Sequence, residues 1–159
     1  MKKKINFNFF SESKKWPRRF PKIKKITKKT MNYMQVYFSK NFLFNINLIF
    51  SDSYRLSKLN KKYKDKYQDT DVLTFTSIIT NKELGKIKYC DIFFSIDTIE
   101  KFVKKNDVNL YEHYNHLLIH SLLHINGYNH KTEKQFNEMK KEEIKNLKKF
   151  GITNPYQVI

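Results

Sequence analysis

A single cysteine, Cys90, excludes a disulfide within the chain and makes a reducing compartment the default. It reads as a small buried residue rather than a nucleophile. No run approaches the ~18 consecutive apolar residues of a membrane span, so no membrane partner is expected. The start, Met1 to Phe10, is basic and then apolar. Asn6 and Asn8 break its apolar stretch and no small-residue cleavage site follows, which argues against a signal peptide. The cytoplasm is the expected location. Alanine is absent, glycine and proline number three each, and arginine is limited to Arg18, Arg19 and Arg55. Acidic residues are scarce as well, with 15 against 32 Lys and Arg, for a formal net charge of +17.

That charge would ordinarily point to a polyanion, because clustered cations displace counterions from phosphate backbones. Lysine without arginine, together with abundant Asn, Ile, Phe and Tyr, is also what a very AT-rich genome produces. Charge alone therefore leaves nucleic acid open. What the chain does hold is apolar mass: 40% hydrophobic and 16% aromatic over 159 residues, enough for one domain over residues 1–159 with a real core. Residues 1–30 carry twelve Lys or Arg and one acidic residue, Glu12, and Pro17 and Pro21 interrupt helix there. They read as a basic, flexible arm, either merely solvated or contacting RNA.

Beyond the arm, Met31, Met34, Tyr37 and Phe38 have helical spacing and predict an amphipathic helix over 28–40. Phe44, Ile46, Leu48 and Phe50 alternate with polar residues and predict a half-buried strand. A helix capped by Ser51 or Asp52 follows, and then a polar loop to Thr70. Val72–Ile79 and Ile87–Ser95 predict a hairpin, and a short helix follows to about Lys105. A long helix is expected over 109–126. A last amphipathic helix over 131–150 would use Phe136, Met139, Ile144 and Leu147, with Gly151 beyond its end. Strands and helices mix without a βαβ rhythm, so the fold class is α+β, a small sheet with helices packed on it.

All five histidines lie between 113 and 130, and His113, His116, His120 and His124 are spaced three, four and four apart. At about 100° per residue they share one helical face. His120 and His124, at i and i+4, can present two imidazoles to one ion. Gly127 permits the positive φ that ends the helix and swings His130 back. The string His120-Ser-Leu-Leu-His124-Ile-Asn-Gly127-Tyr-Asn-His130 thus offers three imidazoles and an open fourth position, the arrangement of a catalytic zinc site with one Zn2+ per chain. His116 and His113 read as lining the cleft or orienting substrate, not as ligands. Zinc peptidases of similar spacing carry Glu after the first His as general base. Ser121 stands there instead, which leaves a zinc metallopeptidase-like hydrolase as the second reading.

The string resembles the signature of the YbeY family of bacterial metallo-endoribonucleases, H-G-x-L-H-L-x-G-Y-D-H. Asp69-Thr-Asp71-Val-Leu73-Thr-Phe75 is similar to its T-D-V-L-S-F strand, with Leu59-Asn60 and Tyr63 upstream at the expected distance. Asp91-Ile92 resembles half of its G-D-I strand, and Gly151 through Asn154-Pro155-Tyr156 its C-terminal G-x-x-x-P-Y. These matches run in order over residues 45 to 156. The resemblance implies a mixed sheet of about four strands with surrounding helices, and the three-histidine metal site at one end of a central groove. It implies a zinc-dependent, single-strand-specific endoribonuclease in 16S rRNA 3′-end maturation and ribosome quality control. Its partners would be single-stranded RNA, ribosomal RNA and the small ribosomal subunit, with no DNA expected.

Four positions depart from that pattern: Ser121 for Gly, Asn129 for Asp, Cys90 for Gly, and Lys64 for an Arg that the family uses in RNA cleavage. A carboxylate at 129 would fix a ligand's tautomer. Lys64 keeps the charge but loses the planar fork that grips phosphate in two places. The implied reaction is phosphodiester hydrolysis, with zinc lowering the pKa of a water to about 7 and Lys64 balancing the developing negative charge. A ribosome-binding protein with weakened catalysis is a further alternative.

Overall fold

The computed structural model describes residues 5–64 and 70–157. Asp69 of the family-like string, and residues 65–69 of the expected loop generally, lie outside them. The architecture is α+β. Four strands, β1 (Ile5–Ser11), β2 (Phe42–Ser51), β3 (Val72–Asn81) and β4 (Gly85–Ser95), make one mixed sheet in the order β1-β2-β4-β3. β1 and β4 run parallel to β2, whereas β3 is antiparallel to β4 and forms an edge. The helices are α1 (Lys15–Arg19), α2 (Ile23–Met34), α3 (Ser53–Lys64), α4 (Ile96–Asn106), α5 (Leu110–Ile125) and α6 (Glu133–Lys148).

The alternation in β2 decides which face is which, because successive side chains point to opposite sides. Phe44, Ile46, Leu48 and Phe50 are buried in the main core with Ile92 and Phe94 of β4 and with Met31, Tyr114, Leu118 and Leu122 from α2 and α5. Ile49 points the other way, as does its partner Phe93, and these pack with Leu73 under Leu56 and Leu59 of α3. A sheet with helices on both faces results, and α5 is the helix most enclosed by it. Among its residues Leu118, Ile119, Leu122 and Leu123 are inaccessible to solvent.

The N-terminal segment differs from the expected arm. Residues 5–11 are a strand, with Ile5, Phe7 and Phe9 half-buried against the core and Asn6, Asn8 and Phe10 exposed. Trp16 is 2% exposed, sits among Phe20, Phe50 and Tyr114, and donates its indole N–H to the Ser51 carbonyl at 2.7 Å. Lys15 pairs with Asp97 at 2.8 Å, and Arg19 with Glu100. The lysine run hid a period-2 pattern in Ile5-Asn-Phe-Asn-Phe9. The two prolines do not oppose this packing: Pro17 falls in the first turn of α1, where no intrahelical N–H is needed, and Pro21 precedes α2. For the same reason the helix expected over 28–40 begins at Ile23 instead, and it ends in a 3-10 turn, Gln35–Tyr37.

Because Trp16 is the only tryptophan, its fluorescence reports on this segment alone. Native protein should emit at short wavelength and shift to the red on unfolding. Trp16→Ala should lower stability by about 3–5 kcal/mol in urea titrations. A native spectrum already at the solvent-exposed position would mean that the segment is an arm after all.

Candidate metal centre and cleft

Two capping devices define the chain path through the histidines. Asn109 caps α5, accepting from the Glu112 amide at 3.2 Å, which starts the helix one turn before His113. At the other end Gly127 has φ 97°, its amide bonds the His124 carbonyl, and the Tyr128 amide bonds the Leu123 carbonyl, both at 3.1 Å. That pair of bonds is a Schellman closure, which needs a residue free of Cβ strain at the turn. Thr132 and Gln135 then form a capping box that starts α6. His130 is thus held on a short connection anchored at both ends.

The result is the expected trio. His120, His124 and His130 offer ligand nitrogens all within 4.8 Å of one another, so this group can hold a metal ion. Their ring centroids are 4.5, 4.8 and 5.4 Å apart. Hydrogen bonds choose the tautomers. His120 donates Nδ1–H to Glu143 Oε1 at 2.5 Å, and His124 donates Nδ1–H to the Tyr128 carbonyl at 3.0 Å. Both rings therefore turn an Nε2 lone pair to the centre, as a metal requires. Burial, reinforced by the neighbouring His120 and His130, lowers the His124 pKa to about 4 and keeps it neutral. The donor set fits a divalent ion of the imidazole-binding kind.

Glu143 is the residue that sequence reading missed. The α6 face was expected to run through Phe136, Met139, Ile144 and Leu147; Met139 and Leu147 are buried, but Phe136 is exposed and Glu143 turns inward. Its side chain is 1% exposed and accepts from three donors: His120, His116 Nε2 at 3.1 Å, and the Tyr156 hydroxyl. Burial would push its carboxyl up, but those hydrogen bonds outweigh it and bring the pKa to about 2. Tyr156 is pushed up, by burial first and by Glu143 next. A Glu among lysines on a charged helix carries no sequence signal of burial. Only the family-like Asn-Pro-Tyr156 hinted that the C-terminal segment returns to the site.

A cleft of about 690 Å³ opens over the trio, lined by the start of β3 (Val72, Thr74 and Thr76), Asn60 and Lys64 of α3, Asp71, His116, Asn129 and Tyr156. Lys64 is therefore at the cleft, as expected, and so is His116. His113 is not among the lining residues. It points to Asp71 Oδ2 at 2.9 Å and stacks on Phe102, so it steadies the strand entrance. Ser121 is fully buried and its Oγ has no hydrogen-bond partner. It faces the core and offers nothing to the cleft. Cys90 is buried, its thiol pushed up to about 12 chiefly by burial, which removes it as a nucleophile.

The chain is similar in sequence to proteins of one family. The family described as Endoribonuclease YbeY matches residues 8–151. A protein named Endoribonuclease YbeY from Ehrlichia chaffeensis is 36% identical over 137 residues, covering 84% of this chain and 83% of its own. One of the same name from Ehrlichia ruminantium is 36% identical over 135 residues, covering 84% and 82%. Another from Bartonella quintana is 29% identical over 133 residues, covering 83% and 82%.

Two substitutions test the site. Glu143→Gln should weaken divalent-metal binding at the trio by about 10–100-fold, measured by competition with a chromophoric chelator, while circular dichroism stays native. Unaltered affinity would show that the carboxylate does not position His120. Ser121→Ala, which removes an unpaired buried hydroxyl, should leave stability unchanged or raise it by about 1 kcal/mol. A clear loss in thermal unfolding would mean that the hydroxyl has a partner.

Proposed function

The chain belongs to the YbeY endoribonuclease family, and on that premise we propose that it is a zinc-dependent endoribonuclease cutting single-stranded RNA at the three-histidine site. One observation carries the reading: two imidazoles locked with Nε2 inward beside a third, at the floor of a cleft that also holds a lysine. A zinc ion held by His120, His124 and His130 would supply Lewis acidity, easing loss of a water proton near neutral pH and drawing charge from a phosphate oxygen.

The rest falls to the protein's own side chains. Lys64 Nζ neutralises charge growing on the phosphate oxygens as water adds to phosphorus and the bond to the leaving ribose oxygen breaks. His116 donates its Nε2–H to Glu143 Oε2 and meets the substrate from the cleft wall. The hydroxyls of Thr74 and Thr76 and the amide of Asn129 lie along the same cleft as neutral contacts for ribose and phosphate. The whole chain, residues 1–159, acts as one domain. Family membership and the +17 charge support ribosomal RNA of the small subunit as the substrate, in 3′-end maturation and ribosome quality control, within the cytoplasm. Among the described residues no helix is long and apolar enough to cross a membrane.

The peptidase reading has one feature in its favour, since the edge strand β3 borders the cleft and a peptide could pair with it. Against it, the position of the peptidase base is Ser121, buried and turned away from the cleft. Zinc-loaded protein should cleave single-stranded ribosomal RNA and leave casein intact. His120→Ala should abolish cleavage with ribosome binding retained; equal RNA cleavage by that variant would point to a ribosome-binding scaffold. Lys64→Ala should lower kcat/KM at least tenfold, about 1.4 kcal/mol, and Lys64→Arg should raise it above the parent.

A further inference from the structure

We infer that a file of rings running through the cleft wall forms a base-stacking track for single-stranded RNA, with Phe102 and Phe136 as the open platforms at its two ends. The identity of the ligand rests on the endoribonuclease reading above; the track itself rests on ring geometry. Phe102 on α4 stacks on His113 with centroids 4.1 Å apart and planes 15° from parallel, yet it remains 42% exposed. His113 approaches His116 at 6.5 Å, His116 meets Tyr156 at 5.6 Å, and Tyr156 meets Phe136 of α6 at 6.3 Å. Phe136 is also 42% exposed. Five rings therefore form a continuous file from α4 to α6, and its middle members His116 and Tyr156 line the cleft.

Single exposed aromatics on a surface need no explanation. Two that terminate one file across a cleft do. Each contacts another ring, Phe102 stacked on His113 and Phe136 edge-on to Tyr156 at 82°, and each leaves surface open. Cations stand beside the file: Lys140 Nζ is 4.9 Å from the Tyr156 ring centroid, and Lys64 lines the same cleft. Aromatic rings with ammonium groups close by suit a chain of unpaired bases joined by phosphates. In a duplex the base faces are already covered by their neighbours, so the track selects single strands.

Stopped-flow mixing of zinc-loaded protein with a single-stranded oligoribonucleotide, carrying 2-aminopurine at successive positions, reads stacking before turnover. We expect quenching by the parent protein and none with the matching duplex. Phe102→Ala and Phe136→Ala should each weaken binding about tenfold. Phe→Trp at either site should restore it, and the dependence on salt should stay the same because no phosphate contact is removed. Tyr33→Ala, at an exposed ring packed on Phe150 away from the file, should bind as the parent does. Unchanged binding in both alanine variants overturns the track, and so does an equal loss in Tyr33→Ala. Circular dichroism checks folding, and Phe→Leu at each site replaces any alanine variant that fails it. Quenching without cleavage by the parent protein would leave the track standing and sink the endoribonuclease reading. Cleavage without quenching at any position would do the reverse.

Discussion

The carboxylate of Glu143 ties α6 and the segment after it to the three-histidine cluster. A buried carboxylate costs several kcal/mol in lost hydration, and among the described residues its hydrogen bonds to His120, His116 and Tyr156 offset that. Each bond to a charged group contributes about 1.5–3 kcal/mol, so three together hold the charge where one would not. The same bonds do chemical work. His120 is fixed as an Nδ1–H tautomer, His116 is held against the cleft wall, and Tyr156 anchors residues that follow α6. Helix α6 is placed by the packing of Met139 and Leu147, which makes the ligand geometry depend on ordinary hydrophobic contacts some distance from the ion.

Around that point the local rules agree with one another. The i, i+4 spacing sets His120 beside His124, the Gly127 closure reverses the chain, and the Thr132 capping box fixes where the next helix begins. His130 has little conformational choice left between those two devices. A site assembled from one helix and one short, doubly anchored connection is preorganised, since few bonds must rotate to seat an ion.

Much of this was legible in the residues. The histidine spacing, the hairpin of β3 and β4, and the alternation of β2 each follow from short-range periodicity, and each stands in the fold. What failed to show depends on partners distant in sequence. Glu143 reads as a solvated charge because nothing within its own helix announces that three donors meet it. The strand β1 was hidden because twelve cations in thirty residues dominate the composition there, although Ile5, Phe7 and Phe9 alternate as a strand should. The start of α2 at Ile23 lies well ahead of the apolar spacing at Met31 and Met34, and Pro21, which suggests an interruption, is compatible with a helix that begins just after it.

The departures from the family pattern fall in different surroundings. Asn129 lines the cleft with a neutral amide in place of a carboxylate, while Glu143 and the Tyr128 carbonyl orient His120 and His124. Ser121 faces the core, so its hydroxyl bears on packing rather than chemistry. Lys64 alone meets the cleft as a charged side chain that replaces another. Its ammonium can neutralise a phosphate oxygen but grips one point where a guanidinium would grip two. The chain therefore keeps the three histidines that could hold an ion, with bonds that orient two of them, and under the proposed reading its divergence would bear on how firmly a substrate phosphate is held.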